Sequence, residues 1–372
     1  MKILVVVPYF DEPHRWMISG QKTAFELARH HQVVVLTTGV KAAVERPVPN
    51  LTIHRIKDWF IPDPVNFSII PGLYGAVRRL VRTESPDAFL INKHMFWSSL
   101  SIWPLKRMGK KVVVQTDTFP GVNWFPRSKL VGLVMIIYAR LVGNRIMKAA
   151  DKVVLLHEGL VEDAKRLGLN YTVIHNGLEL DKFDAVAAPS DLKKKPGDIW
   201  VGYVGRLESV KGWYDLATVA MKMVGKRPNL HFFFAGPKEK AEEALKAFQH
   251  PQIHFLGSRK DVAGLDKMFD IFVMPSLSEG LSNAIMEAMA AGCACLVSNV
   301  GGNKILLDKN EGLFFEPGNL GDLETKLLGL INDPVKIKEL GRLARAKIAE
   351  EFDLSVNVEK LAEALKSTSA TR

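Results

Sequence analysis

Short runs of aliphatic and β-branched residues alternate with amphipathic stretches along the whole chain. Runs such as ILVVV at residues 3–7 are typical of strands that are buried on both faces of a parallel sheet. The remaining runs are residues 33–36, 88–92, 111–115, 152–156, 199–205, 230–236, 252–257, 270–276 and 294–298. Helical patterns such as 19–31 and 157–168 lie between them, and Gly168 is a C-cap signal. The pattern predicts an α/β fold.

One segment interrupts this alternation. Residues 185–198 (AVAAPSDLKKKPGD) are rich in Ala, Pro and charged residues, and the strand–helix pattern restarts after them. We therefore expect two doubly wound domains, 1–184 and 199–351, joined by a linker that acts as a hinge. A terminal segment, 352–372, is expected to form an amphipathic helix that packs back on the first domain. Ligands of such sheets bind at the carboxyl ends of strands, so side chains that follow a strand are the candidates for chemistry.

Composition narrows the class of protein. The chain has 372 residues, of which 47% are hydrophobic and 24% charged, as in soluble globular proteins. No apolar run reaches the roughly 20 residues that span a bilayer. The N-terminal run lacks a cleavage-site pattern and is interpreted as a strand, not a signal peptide. Cys293 and Cys295 are too close for a disulfide and unsuited to zinc, which favours core residues of a cytoplasmic protein.

The positive charge is confined to one half of the chain. Residues 1–150 hold 21 Lys and Arg against 9 Asp and Glu, whereas the other 222 residues hold 29 against 31. This half favours an anionic partner such as a membrane surface, a phosphorylated lipid or nucleic acid. Basic surface helices without any partner are the plain alternative. No helix–turn–helix, zinc-finger or RNP pattern supports nucleic acid, so none is expected as a partner.

Two carboxylates stand eight residues apart in SEGLSNAIMEAMAAG, residues 278–292. Glu279 is predicted in a loop, and Glu287 on the second turn of a helix from about Asn283 to Gly292. Backbone N–H groups at the start of that helix predict an anion site. Because carboxylates repel phosphate, Glu279 and Glu287 suit hydroxyl groups on either side of it, a sugar and a ribose. The binding backbone is predicted to be Gly280, Leu281, Ser282 and Asn283. A solvated helix residue is the alternative for Glu287.

Three further clusters follow predicted strands. In YVGRLESVKGW, Gly205 permits close backbone approach, and Arg206 and Lys211 are suited to neutralise a diphosphate. Gly20 opens the first long helix and predicts a second anion site. Asp117 follows the strand 111–115 and is suited to orient a sugar hydroxyl or accept a proton; an inert turn residue is the alternative.

Together these motifs resemble the retaining GT-B glycosyltransferases of family 4 (glycosyl transferases group 1) over nearly the whole chain. The family's E-x7-E element matches Glu279 and Glu287, and its G-R-x4-K-G element matches GRLESVKG. IHNGLELDKF (174–183), ADKVVLLHEGLVEDAKRLG (150–168) and GGNKILLDKNEGLFFEPGN (301–319) match further elements. The resemblance implies two Rossmann-like domains that face a central cleft and close over the donor.

The resemblance also implies roles for individual residues. Arg206 and Lys211 would bind the donor diphosphate, Glu287 the ribose and Glu279 the donor sugar, while Ser19–Gly20 replaces the usual Gly-Gly. The catalytic set is then Asp117, Glu279, Arg206 and Lys211. The chain departs from the family in two ways: Asp117 stands where many members have His, and Lys304 and Ile305 stand where a Glu is usual.

The implied reaction is transfer of a hexose or N-acetylhexosamine, with retention, from a UDP- or GDP-linked sugar to a glycan or lipid-linked acceptor, in the biosynthesis of a cell-envelope glycan, a glycolipid or a protein glycan. No Asp-x-Asp motif occurs in the sequence, and neither a metal nor another cofactor is expected. A phosphorylase or a nucleotide-sugar epimerase is the alternative within GT-B enzymes, and a basic nucleic-acid-binding protein is the alternative outside them. A dinucleotide dehydrogenase is disfavoured because no G-x-G-x-x-G follows a first strand.

The acceptor is expected on the N-terminal domain. Residues 129–148 form an apolar helix with cations at both ends, suited to a membrane interface and to a peripheral position on the cytoplasmic face of a membrane. Aromatic residues at loop-like positions fit interfacial anchoring: Trp59, Phe60, Phe67, Phe96, Trp97, Trp103, Trp124 and Phe125. A core helix with packed aromatic residues is the equal alternative.

Overall fold

A computed structural model describes residues 1–11, 18–62, 65, 67–119, 129–238, 241–279, 281–308 and 310–370. The strands are β1 Lys2–Val6, β2 Gln32–Gly39, β3 Ala43–Val48, β4 Leu51–Lys57, β5 Trp59–Ile61, β6 Phe67–Ile69, β7 Ala88–Asn92, β8 Val113–Thr116, β9 Lys152–Leu155, β10 Tyr171–Val173, β11 Ile199–Val204, β12 Leu230–Ala235, β13 Ile253–Gly257, β14 Ile271–Met274, β15 Ala294–Ser298 and β16 Gly312–Phe315.

The helices lie between these strands and after them. They are α1 Ile18–Ala28, α2 Leu73–Glu84, α3 Ile102–Arg107, α4 Lys129–Tyr138, α5 Asn144–Ala149, α6 Val161–Arg166, α7 Leu180–Ala185, α8 Trp213–Met223, α9 Glu242–Leu245, α10 Val262–Asp266, α11 Asn283–Ala290, α12 Asn303–Leu306, α13 Leu320–Ile331, α14 Pro334–Glu351 and α15 Leu354–Ala370. A π-helical turn, Ala139–Gly143, joins α4 to α5.

The chain forms two compact units, of which unit 1 comprises Met1–Asn176 and Leu354–Arg372. Its sheet has the strand order β10-β9-β8-β7-β1-β2-β4-β3, in which all pairs are parallel except β3 with β4. The alternating side chains of β1 enter two separate cores, because Leu4 and Val6 face one layer of helices and Ile3 and Val5 the other. The second layer includes α15, whose Leu354 and Leu365 pack there beside α1.

Unit 2 comprises Gly177–Asp353 and contains the second sheet, with the order β13-β12-β11-β14-β15-β16. Every strand pair in it is parallel. The order reverses direction at β11 and β14, which are neighbours in the sheet although two strands, β12 and β13, lie between them in the chain. Side chains that follow β11 and β14 therefore meet at the point where an open α/β sheet binds its ligands.

The predicted linker 185–198 does not coincide with the boundary between the two units. The chain passes between the units at Asn176–Gly177, and the residues after it are fastened to unit 2. The ammonium of Lys267 donates to the carbonyls of Phe183, Asp184 and Val186 at 3.0, 2.8 and 2.7 Å. Further along, Arg259 forms a bidentate ion pair with Asp191, with both distances 2.9 Å. A composition rich in Ala, Pro and charged residues is common to surface segments and to hinges, so the sequence could not distinguish the two.

The aromatic residues predicted as interfacial anchors mostly pack inside unit 1. Phe60 and Phe96 both contact the buried ring of Tyr9, with centroids 6.0 and 5.7 Å away, and Phe67 stacks on Phe96. Trp97 and Trp103 pack against the core. Trp59 is exposed, whereas Trp124 and Phe125 lie outside the described residues.

Candidate functional site

An ion pair joins the loops that follow β11 and β14. The ammonium of Lys211 lies 2.7 Å from Oε1 of Glu279, and the hydroxyl of Ser276 donates to the same oxygen at 2.7 Å. The Glu279 side chain is only 7% exposed and that of Lys211 is 21% exposed. The structure thus brings together two residues that the sequence motifs contribute from positions 68 residues apart.

Two glycines in the left-handed region make this approach possible. Gly212 has φ +65°, and a Cβ built on it would lie 1.8 Å from the carbonyl oxygen of Pro275. Gly301 has φ +33°, and its Cβ would lie 2.3 Å from the carbonyl oxygen of Glu279. Any other residue would push the loops after β11, β14 and β15 apart, so the backbone fixes the distance between their side chains.

Arg206 occupies a neighbouring position but has a different partner. Its Nη1 lies 2.9 Å from Oε2 of Glu208, and its side chain is 42% exposed. The buried ring of Tyr203 holds the loop by donating to the carbonyl of Arg206 at 2.9 Å. Glu208 was missed by sequence reasoning, although a carboxylate two residues after a candidate phosphate-binding cation is a signal that sequence alone offers. The arrangement holds both cations at one edge of the sheet, each next to a carboxylate.

The helix predicted to begin near Asn283 is confirmed as α11, and Gly292 has φ +78° at its end. The N-cap residue, Ser282, has an extended backbone and makes no side-chain cap hydrogen bond. The first-turn N–H groups of α11 therefore retain their capacity to bind an anion. Leu281 packs against the core of unit 2. Gly280 lies outside the described residues.

Glu287 is half-buried on α11 between side chains that are fully enclosed. Ile285, Met286, Ala288 and Met289 are at most 1% exposed. Asp266, at the end of α10, is buried, and its two carboxylate oxygens have no hydrogen-bond partner among the described residues. Burial, reinforced by the charge of Glu287, raises the pKa of Asp266 well above its ordinary value. Asp266 was not predicted from the sequence, because nothing there shows which helix packs beside α11.

A series of hydrogen bonds between buried polar residues begins at Ser276, the residue that binds Glu279. The Ser298 hydroxyl donates to the carbonyl of Ser276 at 2.6 Å, and the Asn303 amide donates to the carbonyl of Ser298 at 2.9 Å. All three side chains are fully enclosed. These residues fix the ends of β14 and β15, and they were missed because single Ser and Asn residues carry no motif.

Unit 1 presents a separate polar cluster at the carboxyl ends of β7, β8 and β9. Asp117 forms an ion pair with Lys93, a buried residue in the left-handed region at φ +69°. Burial raises the pKa of Asp117, but the ammonium of Lys93 reverses this effect, so the pKa lies below its ordinary value. His157 donates through Nε2 to the carbonyl of Asp117 at 3.1 Å. The side chain of Asp117 is therefore fixed by its ion pair with Lys93, and its backbone by the hydrogen bond from His157.

His94 lies beside this ion pair and is almost completely enclosed. Its Nδ1 lies 2.9 Å from the hydroxyl of Thr116, and that hydroxyl donates to the carbonyl of Thr118 at 3.1 Å. His94 is therefore the donor through Nδ1, and its Nε2 has no hydrogen-bond partner among the described residues. Burial lowers the pKa of His94 to about 4, so the ring is neutral at pH 7. Lys93, His94 and His157 each lie within two residues of the end of a strand, which is the signal that could have found them.

Gly20 lies on the first turn of α1 in unit 1. A Cβ at this position would lie 3.0 Å from Cγ1 of Val7 and 3.8 Å from Cγ of Asn92. The start of α1 is thus packed tightly on the ends of β1 and β7. Over the described parts of the chain, no three His, Cys, Asp or Glu side chains are grouped so that they could hold a metal ion.

Two family models match successive parts of the chain. The model described as Glycosyltransferase Family 4 matches residues 22–182, and the model described as Glycosyl transferases group 1 matches residues 198–333. Both fall on regions with the motifs described above.

Two of the similar proteins are named as glycosyltransferases that act on a saccharide linked to diphosphoundecaprenol. UDP-Gal:alpha-D-GlcNAc-diphosphoundecaprenol alpha-1,3-galactosyltransferase of Escherichia coli is 30% identical over 225 residues, which are 57% of this chain and 56% of that protein. The N,N'-diacetylbacillosaminyl-diphospho-undecaprenol alpha-1,3-N-acetylgalactosaminyltransferase of Campylobacter jejuni is 27% identical over 226 residues, 56% of this chain and 58% of that protein. The matches thus span little more than half the length of these relatives.

Among solved structures, Anabaena HepE in complex with UDP-glucose is similar with a TM-score of 0.71 and 17% identity. The similarity covers 99% of this chain and 100% of that chain. At this identity it shows the fold alone. The predicted fold class, α/β with two Rossmann-like domains of the GT-B type, is confirmed.

Proposed function

The chain belongs to the family 4 glycosyltransferases, and from this premise we propose that it moves a hexose or N-acetylhexosamine from a UDP- or GDP-linked sugar to a glycan or lipid-linked acceptor. The observation that carries the proposal is the Lys211–Glu279 pair, which joins the loops after β11 and β14 at the topological switch point of unit 2. A cation for a diphosphate and a carboxylate for sugar hydroxyls stand next to each other there.

The proposed binding of the nucleotide-sugar diphosphate depends on the number of N–H groups that Lys211 and Arg206 have available. The Lys211 ammonium has three donors and uses one on Glu279, and the Arg206 guanidinium has five and uses one on Glu208. Both can therefore bind phosphate oxygens without losing their carboxylate partners. The N-terminus of α11 supplies backbone N–H groups for the same diphosphate. Glu287, one turn further along α11, accepts the two ribose hydroxyls.

In the proposed reaction an acceptor hydroxyl oxygen bonds to the anomeric carbon as the bond from that carbon to the phosphate oxygen breaks, and the configuration is retained. The proton of the acceptor goes to the departing diphosphate. Negative charge develops on that group, so Arg206, Lys211 and the α11 dipole stabilise the transition state more than the ground state. Neither a metal nor another cofactor is assigned a part in these steps.

The acceptor class is proposed from the relatives and from unit 1. Both relatives described above are named for a saccharide linked through diphosphate to undecaprenol. The Asp117–Lys93 pair, with His94 and His157 beside it, is a charged cluster of unit 1 that is suited to bind a sugar hydroxyl of the acceptor. We accordingly assign this chain an acceptor of the same chemistry, a polyprenyl-diphosphate-linked saccharide in cell-envelope glycan biosynthesis.

The donor assignment is tested by calorimetry with Glu287→Ala. UDP-galactose, UDP-N-acetylgalactosamine, UDP-glucose and GDP-mannose are first screened by thermal shift. The donor that stabilises the protein should bind Glu287→Ala more weakly by about 2 kcal/mol, because two charge-assisted hydrogen bonds are lost. Glu350→Ala, an exposed glutamate on α14, is the matched control and should bind normally. Equal affinity of both variants, or no stabilisation by any nucleotide sugar, would overturn the donor site.

The reaction itself is tested with a labelled donor and a synthetic saccharide diphospholipid. Transfer should give a product whose anomeric configuration, read by NMR, equals that of the donor sugar. An inverted product would contradict retention. Free labelled sugar phosphate, or a labelled nucleotide sugar of changed configuration, would identify a phosphorylase or an epimerase instead.

A further inference from the structure

A stripe of apolar side chains on α4 and the adjoining π-turn faces solvent. Leu130, Leu133, Val134, Ile137 and Leu141 are between 49% and 71% exposed. Their spacing of three or four residues places them on one face of the helix. Such a contiguous apolar patch is uncommon on soluble domains and indicates an interaction surface. We refer to these five residues as the α4 stripe.

The opposite face of the same helical segment is fixed in unit 1. Ala139, Ile146 and Met147 are buried, and Tyr138 makes an edge contact with the ring of Phe67 at 5.9 Å. The sequence expectation that no apolar segment is long enough to span a bilayer does not hold for Leu130–Ala149, a helical segment of 20 residues that meets this requirement by length and composition alone. Because one face is held in the domain, this helix can present side chains to an interface while remaining part of the fold.

The charge around the α4 stripe is of one sign. Residues 118–150 contain five Lys and Arg and no Asp or Glu. Arg140, Arg145 and Lys148 are exposed, and they continue the line of the stripe along the helix. A second copy of this chain would bring the same cations together, so the charge disfavours self-association through this face.

The exposed part of the β5–β6 hairpin lies next to α4. Trp59 and Ile61 are exposed on β5. Phe67 is the cross-strand partner of Ile61 and contacts Tyr138 of α4. Cross-strand partners share one face of a hairpin, so Trp59 and Ile61 lie on the same face as Phe67. Exposed tryptophan side chains are typical of interfacial positions.

From these observations we infer that the α4 stripe docks on the surface of an anionic lipid bilayer. The apolar side chains enter the headgroup region while Arg140, Arg145 and Lys148 bind lipid phosphates. The same helix borders the polar cluster of unit 1, because a Cβ on Gly143 would lie 2.9 Å from Cδ2 of His94. Docking would hold that cluster beside the headgroups. The inference rests on unit 1 alone and stands independently of the proposed transfer reaction.

The test is flotation of the full chain with vesicles of phosphatidylcholine alone and of phosphatidylcholine with 30% phosphatidylglycerol. The natural chain should bind the anionic vesicles at least tenfold more tightly than the neutral ones, and salt should weaken the binding. Leu133→Glu/Ile137→Glu should reduce binding to anionic vesicles at least tenfold. Both positions are exposed, so circular dichroism should show an unchanged fold.

The matched control is Val44→Glu/Val335→Glu, which adds the same charge at two exposed apolar residues away from α4. It should bind vesicles like the natural chain. Equal losses in both double variants would trace the effect to net charge and overturn the assignment to the stripe. Failure of the natural chain to bind anionic vesicles would also overturn it, as would light scattering that shows a dimer dissociated by Leu133→Glu/Ile137→Glu.

Discussion

Lys211 and Glu279 form an ion pair of 2.7 Å in which the carboxylate is almost enclosed. The pair links two loops that the sheet topology brings to one edge, and Ser276 adds a hydrogen bond to the same carboxylate oxygen. A buried carboxylate without its cation is costly, so each partner depends on the other. The residues assigned to the donor are for this reason also structural residues of unit 2.

Lys211→Met should lower the free energy of unfolding of unit 2 by about 2 kcal/mol. It removes the cation beside the Glu279 carboxylate and leaves the hydrogen bond from Ser276. The free energy of unfolding in urea, combined with Glu279→Gln in a double-mutant cycle, measures the coupling. The control is the Lys222–Glu324 pair, 3.0 Å long with side chains 51% and 30% exposed, whose coupling should be below about 1 kcal/mol. Equal coupling in both cycles would contradict the role of enclosure.

Gly212→Ala should separate the loops after β11 and β14. The new Cβ at position 212 would lie 1.8 Å from the carbonyl oxygen of Pro275. The loss of unfolding free energy should therefore exceed the roughly 1–2 kcal/mol that the left-handed conformation alone costs a non-glycine residue. Gly318→Ala provides that reference, since Gly318 has φ +74° and no atom within 4 Å of its Cβ position. Differential scanning calorimetry of both variants compares them. If Gly212→Ala unfolds at as high a temperature as Gly318→Ala, the loops can move apart without loss of stability, and the prediction is contradicted.

Asp266→Asn should stabilise the protein increasingly as pH rises. The folded state raises the pKa of Asp266, so it binds this proton more tightly than the unfolded chain. The cost of ionising the buried carboxyl is absent below the unfolded pKa of about 3.9 and grows above it, by about 1.4 kcal/mol per unit of pKa difference. Urea unfolding at pH 5 and pH 8 should show the larger gain at pH 8. The exposed Asp181→Asn should show no such trend.

Lys93→Met should move the acid limb of the transfer rate to higher pH. The ammonium lowers the pKa of Asp117 against the effect of burial, so its removal raises that pKa. A reaction that needs the Asp117 carboxylate is then lost earlier as pH falls. Lys93→Arg keeps the charge and should leave the limb nearly in place. Identical profiles for all three proteins would show that Asp117 ionisation does not limit transfer.

Sequence patterns predicted the central strands well because burial on both faces leaves continuous apolar runs. The run 199–205 corresponds to β11, and 88–92 corresponds to β7. The edge strand β3 was missed, because Glu45 and Arg46 are charged and exposed and Pro47 is a strand-breaking residue. Pro47 is tolerated there since an edge strand does not need every N–H.

The sequence motifs located the Lys211–Glu279 pair only as two separate loops. Strand order decides that these loops meet, and strand order is a property of long-range packing. The same holds for Asp266, which is one residue in a short helix until α10 packs near Glu287. Asp266 and Ser298, whose neighbours are distant in sequence, were therefore missed. Glu208 was missed as well, although it lies two residues from Arg206 within the motif GRLESVKG.

Unit 2 is inserted between two segments of unit 1. During synthesis the ribosome delivers the strands of unit 1 first, then all of unit 2, and only afterwards the helix α15 that covers Ile3, Val5 and Leu27. Unit 2 can complete its core while the first sheet still waits for that cover. A nascent chain arrested before residue 354 would thus hold one finished domain and one with an open apolar layer, the form that a chaperone would recognise.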